Sequence, residues 1–379
     1  MDDVQIPRVL YESVTQHLCS RKAVILSGPR QSGKTTFMRH IIGSLNMKTI
    51  ELNGDEPDIR RLLDSPTSTQ LGNIIGDAKV VFIDEAQRIN NIGITLKLLV
   101  DKLPEKQVLV TGSSSLELAS GTFEALTGRK FEFTLLPLSY EERAGHFGVL
   151  EEGRETERRL IYGSYPEIVT SPQNAQSLLK EIAGSYLYRD LLSLERIRKP
   201  ELLEKLVQAL ALQIGSEVSY QEIGELIGAD NQTVAKYIDL LEKGFVVFRL
   251  PAFSRNLRNE LKKSRKIYFY DNGIRNALIN NFSYPHQRTD IGALWENYAV
   301  SERKKYLAFH SIPANSYFWR TTAQQEIDYI EEQGGALSAW EFKWNPRKSS
   351  KKLSKSFLDA YKPQETGFIT PDTVHTFLT

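Results

Sequence analysis

Sulfur and histidine are scarce in this chain: of 379 residues, one is cysteine, three are methionine and six are histidine. A lone Cys19 excludes an internal disulfide and suits a reducing compartment. The histidines, at positions 17, 40, 146, 286, 310 and 375, show no zinc-ligand spacing. No apolar run approaches the roughly 20 residues needed to span a bilayer, so no membrane partner is expected. The start, with Asp2-Asp3 in place of a basic segment, lacks the pattern of a secretory leader, and the cytoplasm is the expected location. Charge of one sign is not in excess either. The net charge is +1, so contact with nucleic acid has to come from local patches. What remains is an ordinary soluble composition, 41% hydrophobic and 25% charged, long enough for two or three domains.

Against that background one motif stands out. Gly28-Pro29-Arg30-Gln31-Ser32-Gly33-Lys34-Thr35-Thr36 fits a phosphate-binding loop, G-x-x-x-x-G-K-[ST]. It lies between the apolar run Ala23–Ser27 and an amphipathic helical pattern from Thr36 to Ile42. Its glycines let backbone amides approach a polyphosphate at a helix start. Lys34 supplies charge to the β/γ-phosphates, and the Thr35 hydroxyl is a candidate Mg²⁺ ligand. Val80–Ile83 then runs into Asp84 and Glu85. Asp84 is the second candidate for Mg²⁺, and Glu85 the candidate base that polarises the attacking water. Val108–Val110 leads to Thr111-Gly112-Ser113-Ser114, where Ser113 is assigned the γ-phosphate contact with Thr111 in reserve. Arg129 is a candidate for transition-state charge, in its own site or a neighbouring subunit's, with a surface pair to Glu124 or Glu132 as the alternative. The expected ligands are therefore a nucleoside triphosphate and Mg²⁺.

Alternating apolar strands and helices up to residue 140 predict an α/β domain, a three-layer P-loop NTPase fold with a parallel sheet. Residues 141–215 read as helices, a lid over the nucleotide. Residues 216–271 give helix, turn, helix and two strands around a basic loop, a winged helix-turn-helix pattern. In it Thr233, Lys236, Arg255, Arg258, Lys262 and Lys263 are candidate DNA contacts, with Arg265 and Lys266 completing the basic run. Asp239 and Glu242 on the second helix oppose phosphate, so a protein partner is the alternative to DNA. Residues 272–379 read as a helix (Leu294–Tyr306), a three-strand meander and an amphipathic tail, an α+β domain.

Within that last domain a Gly334-Gly335 turn would pair Gln333 with Ala336. Asp328 then faces Glu341, and Glu326 faces Lys343. Two carboxylates that close share a cation or repel. The other side, with Ile327, Tyr329, Trp340, Phe342 and Trp344, is expected to be buried.

Taken together, these residues resemble the AAA+ ATPases. They are most similar to bacterial and archaeal AAA-type proteins that join an ATPase core to a winged helix and a nuclease-like domain. The resemblance rests on Gly28–Thr36, Ile83–Gln87, Thr111–Ser114, Gly128-Arg129 with Leu136–Ser139, and Gly163–Glu167. Towards the C-terminus it rests on Tyr268–Gly273, Gly292–Glu296 and Glu326–Asp328. It implies ATP as the nucleotide. Asp328…Glu341-Phe342-Lys343 also resembles the D…E-x-K core of restriction-endonuclease-like enzymes, with Glu296 as a further acid. That likeness implies Mg²⁺ on Asp328 and Glu341 and a water positioned by Lys343. The expected function is a Mg²⁺-dependent ATPase coupling nucleotide state to DNA-directed and nuclease-like domains, either alone or as an oligomer. The alternative is a slow nucleotide-gated switch that binds protein partners without nuclease activity.

Overall fold

A computed structural model describes residues 5–113, 126–185, 199–255, 265–321, 323–345 and 353–379. The first third runs α1 (Leu10–Thr15), β1 (Ala23–Ser27), α2 (Lys34–Leu45), β2 (Thr49–Asn53), α3 (Pro57–Leu63) and α4 (Ser68–Ile75). It continues with β3 (Val80–Asp84), α5 (Ile92–Lys102), β4 (Gln107–Gly112) and β5 (Lys130–Thr134). The five strands are all parallel, in the order β2-β3-β4-β1-β5. Alternate residues explain the layering. Ile25, Val81, Ile83 and Val110 pack with Leu71, Leu96 and Leu99 on one face. Val24, Leu26, Phe82 and Leu109 meet Phe37, Met38, Ile41 and Val14 on the other. A sheet covered on both faces needs the continuous apolar runs that the sequence carries. Helix α4, absent from the sequence reading, is fixed by a capping box in which Thr67 and Gln70 bond each other reciprocally.

Helices follow: α6 (Tyr140–Phe147), α7 (Val149–Arg154), α8 (Thr156–Tyr162), α9 (Pro166–Thr170), α10 (Ala175–Ser185) and α11 (Pro200–Leu212). Next come β6 (Glu217–Val218), α12 (Tyr220–Ile227), α13 (Asn231–Lys243), β7 (Val247–Pro251) and β8 (Arg265–Phe269). Asp230 caps α13 as expected, its Oδ1 accepting the Thr233 amide at 2.8 Å. The strands form an antiparallel sheet ordered β6-β8-β7, packed with α11–α13 in one core.

Beyond α14 (Asn272–Leu278), which packs into the α9–α10 cluster, lies α15 (Ile291–Phe309). It is followed by β9 (Asn315–Arg320), β10 (Glu326–Gln333), β11 (Ala336–Phe342), α16 (Lys355–Tyr361), β12 (Glu365–Ile369) and α17 (Val374–Leu378). The sheet order is β12-β11-β10-β9, with β12 parallel to β11. The expected tail thus contains a strand. The β10–β11 register is the one the turn implies, Gln333 opposite Ala336 and Tyr329 opposite Trp340, with both turn glycines at positive φ. Among the described residues no helix is long and apolar enough to cross a membrane.

Candidate functional site

The phosphate loop leaves β1 at Gly28, where any side chain would collide with the carbonyl of Leu135. It enters α2 through Gly33 at φ 90°, a left-handed conformation that glycine adopts without strain. Lys34 is 6% exposed and its ammonium folds back on the loop, donating to the carbonyls of Gly28 at 3.0 Å and Pro29 at 2.7 Å. Ser32 is fully buried and bonds the Pro29 carbonyl, whereas Gln31 and Thr36 face outward.

Parallel register brings the tips of β3 and β4 to this loop. Thr35 Oγ1 donates to Asp84 Oδ2 at 2.9 Å, and Thr111 Oγ1 donates to Asp84 Oδ1. A hydroxyl and a carboxylate side by side are hard oxygen donors of the kind Mg²⁺ takes, so the set fits that ion. Thr111, held in reserve for the γ-phosphate, lies on the carboxylate. Ser113 is buried, and its amide donates to Gln87 Oε1 at 3.2 Å. Glu85 sits in the left-handed region at φ 50°, an uncommon place for a non-glycine residue. Its carboxylate accepts from Gln87 Nε2, so Gln87 ties the candidate base to the tip of β4.

Arg129 requires a correction. Its carbonyl accepts the Ala23 amide, which places it at the start of β1. The phosphate loop leaves the far end of that five-residue strand, roughly 16 Å away at about 3.3 Å per residue. Its Nε donates to Asp101 Oδ1 at 2.7 Å, an exposed pair. Arg129 therefore stands at the end of β1 away from the phosphate loop of its own chain, and its surface partner among the described residues is Asp101, where the sequence offers Glu132 or Glu124, the latter outside the described residues.

Arg8 was not singled out from sequence, yet its guanidinium is the hub of the site's outer wall. It donates to the Ser32 carbonyl at 2.9 Å, the Leu136 carbonyl at 2.6 Å and Glu142 Oε1 at 2.9 Å. A cavity of about 110 Å³ lies between Ile6, Arg8, Gly33, Thr36, Leu138 and Pro166. Beyond Arg8, α6 meets α15 through buried charge. Arg143 bonds Glu152 at 2.5 Å, Lys305 bonds Glu302 at 2.6 Å, and the Tyr140 amide donates to Glu302.

The C-terminal acids converge, though not as the simple ladder implied. A bulge in β10 between Ile327 and Ile330 shifts its register against β9. Asp328 Oδ2 accepts the Phe342 amide at 2.8 Å. Lys343 Nζ lies 2.9 Å from Glu341 and 3.9 Å from Asp328. The expected Glu326–Lys343 pair is not formed: Lys343 turns to Glu341 and Asp328, while Glu326, opposite Arg320 on β9, reaches Lys266 at 2.5 Å. Glu296 accepts from Lys266 at 2.9 Å and from the Tyr268 hydroxyl at 2.6 Å. Burial, followed by the Glu296 charge, pushes the Asp328 carboxyl up to about 7. Glu296, Asp328, Glu341 and Lys343 are thus neighbours, but a second ammonium already stands among them. Among the described residues no group of three or more His, Cys, Asp or Glu is arranged to hold a metal ion.

Lys266 is correspondingly lost to the basic loop, being 1% exposed. Arg265 is also engaged, donating to the Tyr220 hydroxyl at 3.0 Å. Arg255 is exposed and stacks over Tyr361. Lys236 is exposed, and the Thr233 hydroxyl bonds Asp230. Arg258, Lys262 and Lys263 lie outside the described residues. Asp239 and Glu242, the acids expected to repel phosphate, are both held by Arg249.

Residues 20–144 match the model of the AAA domain family. Residues 153–284 and 291–375 match two domains of unknown function, DUF8612 and DUF4143. An uncharacterized protein of Mycobacterium tuberculosis is 28% identical over 343 residues, covering 89% of this chain and 73% of its own. One from Methanocaldococcus jannaschii is 24% identical over 354 residues, covering 87% and 77%. Among solved structures, Pif1 helicase from Candida albicans aligns at 13% identity and a TM-score of 0.27, covering 42% of this chain and 48% of its own. Drosophila ORC bound to DNA aligns at 14% and 0.26, covering 35% and 94%. At such TM-scores neither likeness bears on function. The matched residues 20–144 carry the five-stranded parallel sheet.

Proposed function

We propose that this protein is a Mg²⁺-dependent ATP-binding and ATP-hydrolysing switch whose nucleotide state is passed to its C-terminal domains. The observation that carries the reading is the meeting of Lys34, Thr35, Asp84 and Glu85 at the ends of parallel strands, beside a helix N-terminus. Phosphate oxygens would take the amides of Arg30 to Thr36 and the Lys34 ammonium in place of the loop carbonyls. Thr35 and Asp84 would hold Mg²⁺, which neutralises charge on the phosphates when bound. Glu85, released from Gln87, would orient the attacking water, and Ser113 would contact the γ-phosphate. The cavity lined by Ile6, Leu138 and Pro166 suits the nucleotide base. Arg8 offers the route outward, since a shift of the loop at Ser32 moves Leu136 and Glu142, and with them α6 against α15. Calorimetric titration of the full chain with Mg²⁺ and ATP is expected to show one nucleotide bound per chain, with steady release of phosphate. A folded chain that takes up no nucleotide would overturn the reading.

For α13 the neutralisation of Asp239 and Glu242 by Arg249 supports a duplex-facing role, with Lys236 and Arg255 as phosphate contacts. Binding of double-stranded DNA is then expected to weaken by about tenfold or more between 50 and 200 mM salt. An affinity unmoved by salt would assign the helix to a protein partner. The proposal does not extend to phosphodiester hydrolysis. Asp328, Glu341 and Lys343 have the residue types for it, but Lys266 satisfies the charge that Mg²⁺ would have to satisfy. This favours a switch without nuclease activity.

A further inference from the structure

Lys266 sits on β8, in the sheet of the α11–α13 unit, yet its ammonium is spent entirely on the neighbouring domain. It bonds Glu296 on α15 at 2.9 Å and Glu326 on β10 at 2.5 Å, with the ring of Phe318 on β9 5.5 Å away. Tyr268, two residues along the same strand, donates to the same Glu296 oxygen. The other groups of the cluster are Asp328, Glu341 and Lys343, while Arg320 lies 4.0 Å from Glu326 and also pairs with Glu217 on β6. An ammonium this buried persists only when paired, and the same holds for the carboxylates around it. Remove it, and acids remain close together with too little positive charge between them, an environment that recruits a divalent cation.

We propose that Lys266 is a built-in counter-ion that excludes divalent cations from the Glu296–Glu326–Asp328–Glu341 cluster and clamps the C-terminal domain to β8. The cluster is a latent cation site, closed by a residue from the adjoining domain. This is independent of nucleotide binding at Lys34. It also gives the cluster a role in holding two domains together, in place of the metal chemistry that its residue types suggest.

The tryptophans make the test specific. All four, Trp295, Trp319, Trp340 and Trp344, lie between residues 295 and 344, and none is on the phosphate loop or the five-stranded sheet behind it. Mn²⁺ titration of the full chain without nucleotide, read by tryptophan quenching, therefore reports this cluster. Wild type and Lys266→Arg are expected to show no saturable quenching up to millimolar Mn²⁺. Lys266→Met is expected to show saturable quenching with a midpoint at least about tenfold lower, abolished by adding Glu296→Gln. Saturable quenching of wild type that disappears in Glu296→Gln would overturn the proposal, as would a folded Lys266→Met that takes up no Mn²⁺. Should Lys266→Met fail to fold, Lys266→Gln, which keeps a polar head group without the charge, is titrated in its place with the same supporting and overturning results.

Discussion

Glu85→Gln is expected to bind Mg²⁺ and ATP within a few-fold of wild type and to hydrolyse ATP about 10²–10⁴-fold more slowly, the usual contribution of a positioned general base. The substitution is isosteric, and the new side chain still carries an oxygen that can accept from Gln87 Nε2. The backbone at Glu85 keeps its left-handed conformation. Only the negative charge that polarises water is removed. Lys34→Ala should behave differently. It takes away the ammonium proposed to meet the β/γ-phosphates, and a hydrogen bond to a charged group contributes about 1.5–3 kcal/mol. Affinity for ATP should therefore fall by about 10–100-fold, and turnover with it. Equilibrium binding of a fluorescent ATP analogue, measured beside phosphate release, separates the two variants. Normal turnover in Glu85→Gln would show that the catalytic carboxylate has been misplaced, while leaving the binding loop intact.

The convergence of Lys34, Thr35 and Asp84 was legible because each part is local. A glycine loop between a strand and a helix, and two acids at the end of an apolar strand, are each contiguous in sequence. Parallel register then fixes which strand ends lie together. The place of Arg129 was not legible, because a short strand such as β5 reads the same whichever end of the sheet it enters from, and only its parallel pairing with β1 puts Arg129 at the end away from the loop. Arg8 was illegible for the converse reason: its partners, at Ser32, Leu136 and Glu142, are brought together by tertiary packing alone. In the C-terminal domain the glycine turn fixed the β10–β11 register, so Asp328 and Glu341 were placed near each other from sequence. What could not be read was the bulge at Asp328, which no local residue type demands. Nor was the arrival of Lys266 readable, since in sequence it belongs to a basic run that reads as solvent-facing. Helix α15 also reads as largely apolar, yet it buries Asn297, Ser301, Glu302 and Lys305.

That buried charge supports the other large expected effect. Glu152→Ala should destabilise the region joining α6, α7, α8 and α15 by about 3–5 kcal/mol, the cost of breaking a buried ion pair from one side. Arg143 is fully buried, with its Nε on Glu152, its Nη1 on the Leu138 carbonyl and 3.5 Å from Glu302, and its Nη2 on the Tyr298 hydroxyl. Arg159 holds the other Glu152 oxygen at 3.0 Å. Losing Glu152 leaves two guanidinium groups buried, with Glu302 as the remaining carboxylate beside Arg143. Trp295 stacks on Tyr298 at 5.6 Å, so tryptophan fluorescence during urea unfolding reports the change. Replacing the pair together, Arg143→Met with Glu152→Leu, should restore much of the loss, because the desolvation of both charges is then no longer required. The pH dependence has a definite sign. Burial alone would raise the Glu152 carboxyl, but Arg143 and Arg159 outweigh it and hold the group below the ordinary glutamate range. Its contribution is therefore fully present above the unfolded value of about 4.3 and is lost as pH falls through the lower folded value. The stability difference between wild type and Glu152→Gln should accordingly be constant near neutrality and shrink below about pH 4. A difference that instead grew on acidification would mean that the carboxylate is not held by these two arginines, and that the contact between α6 and α15 rests on its apolar packing.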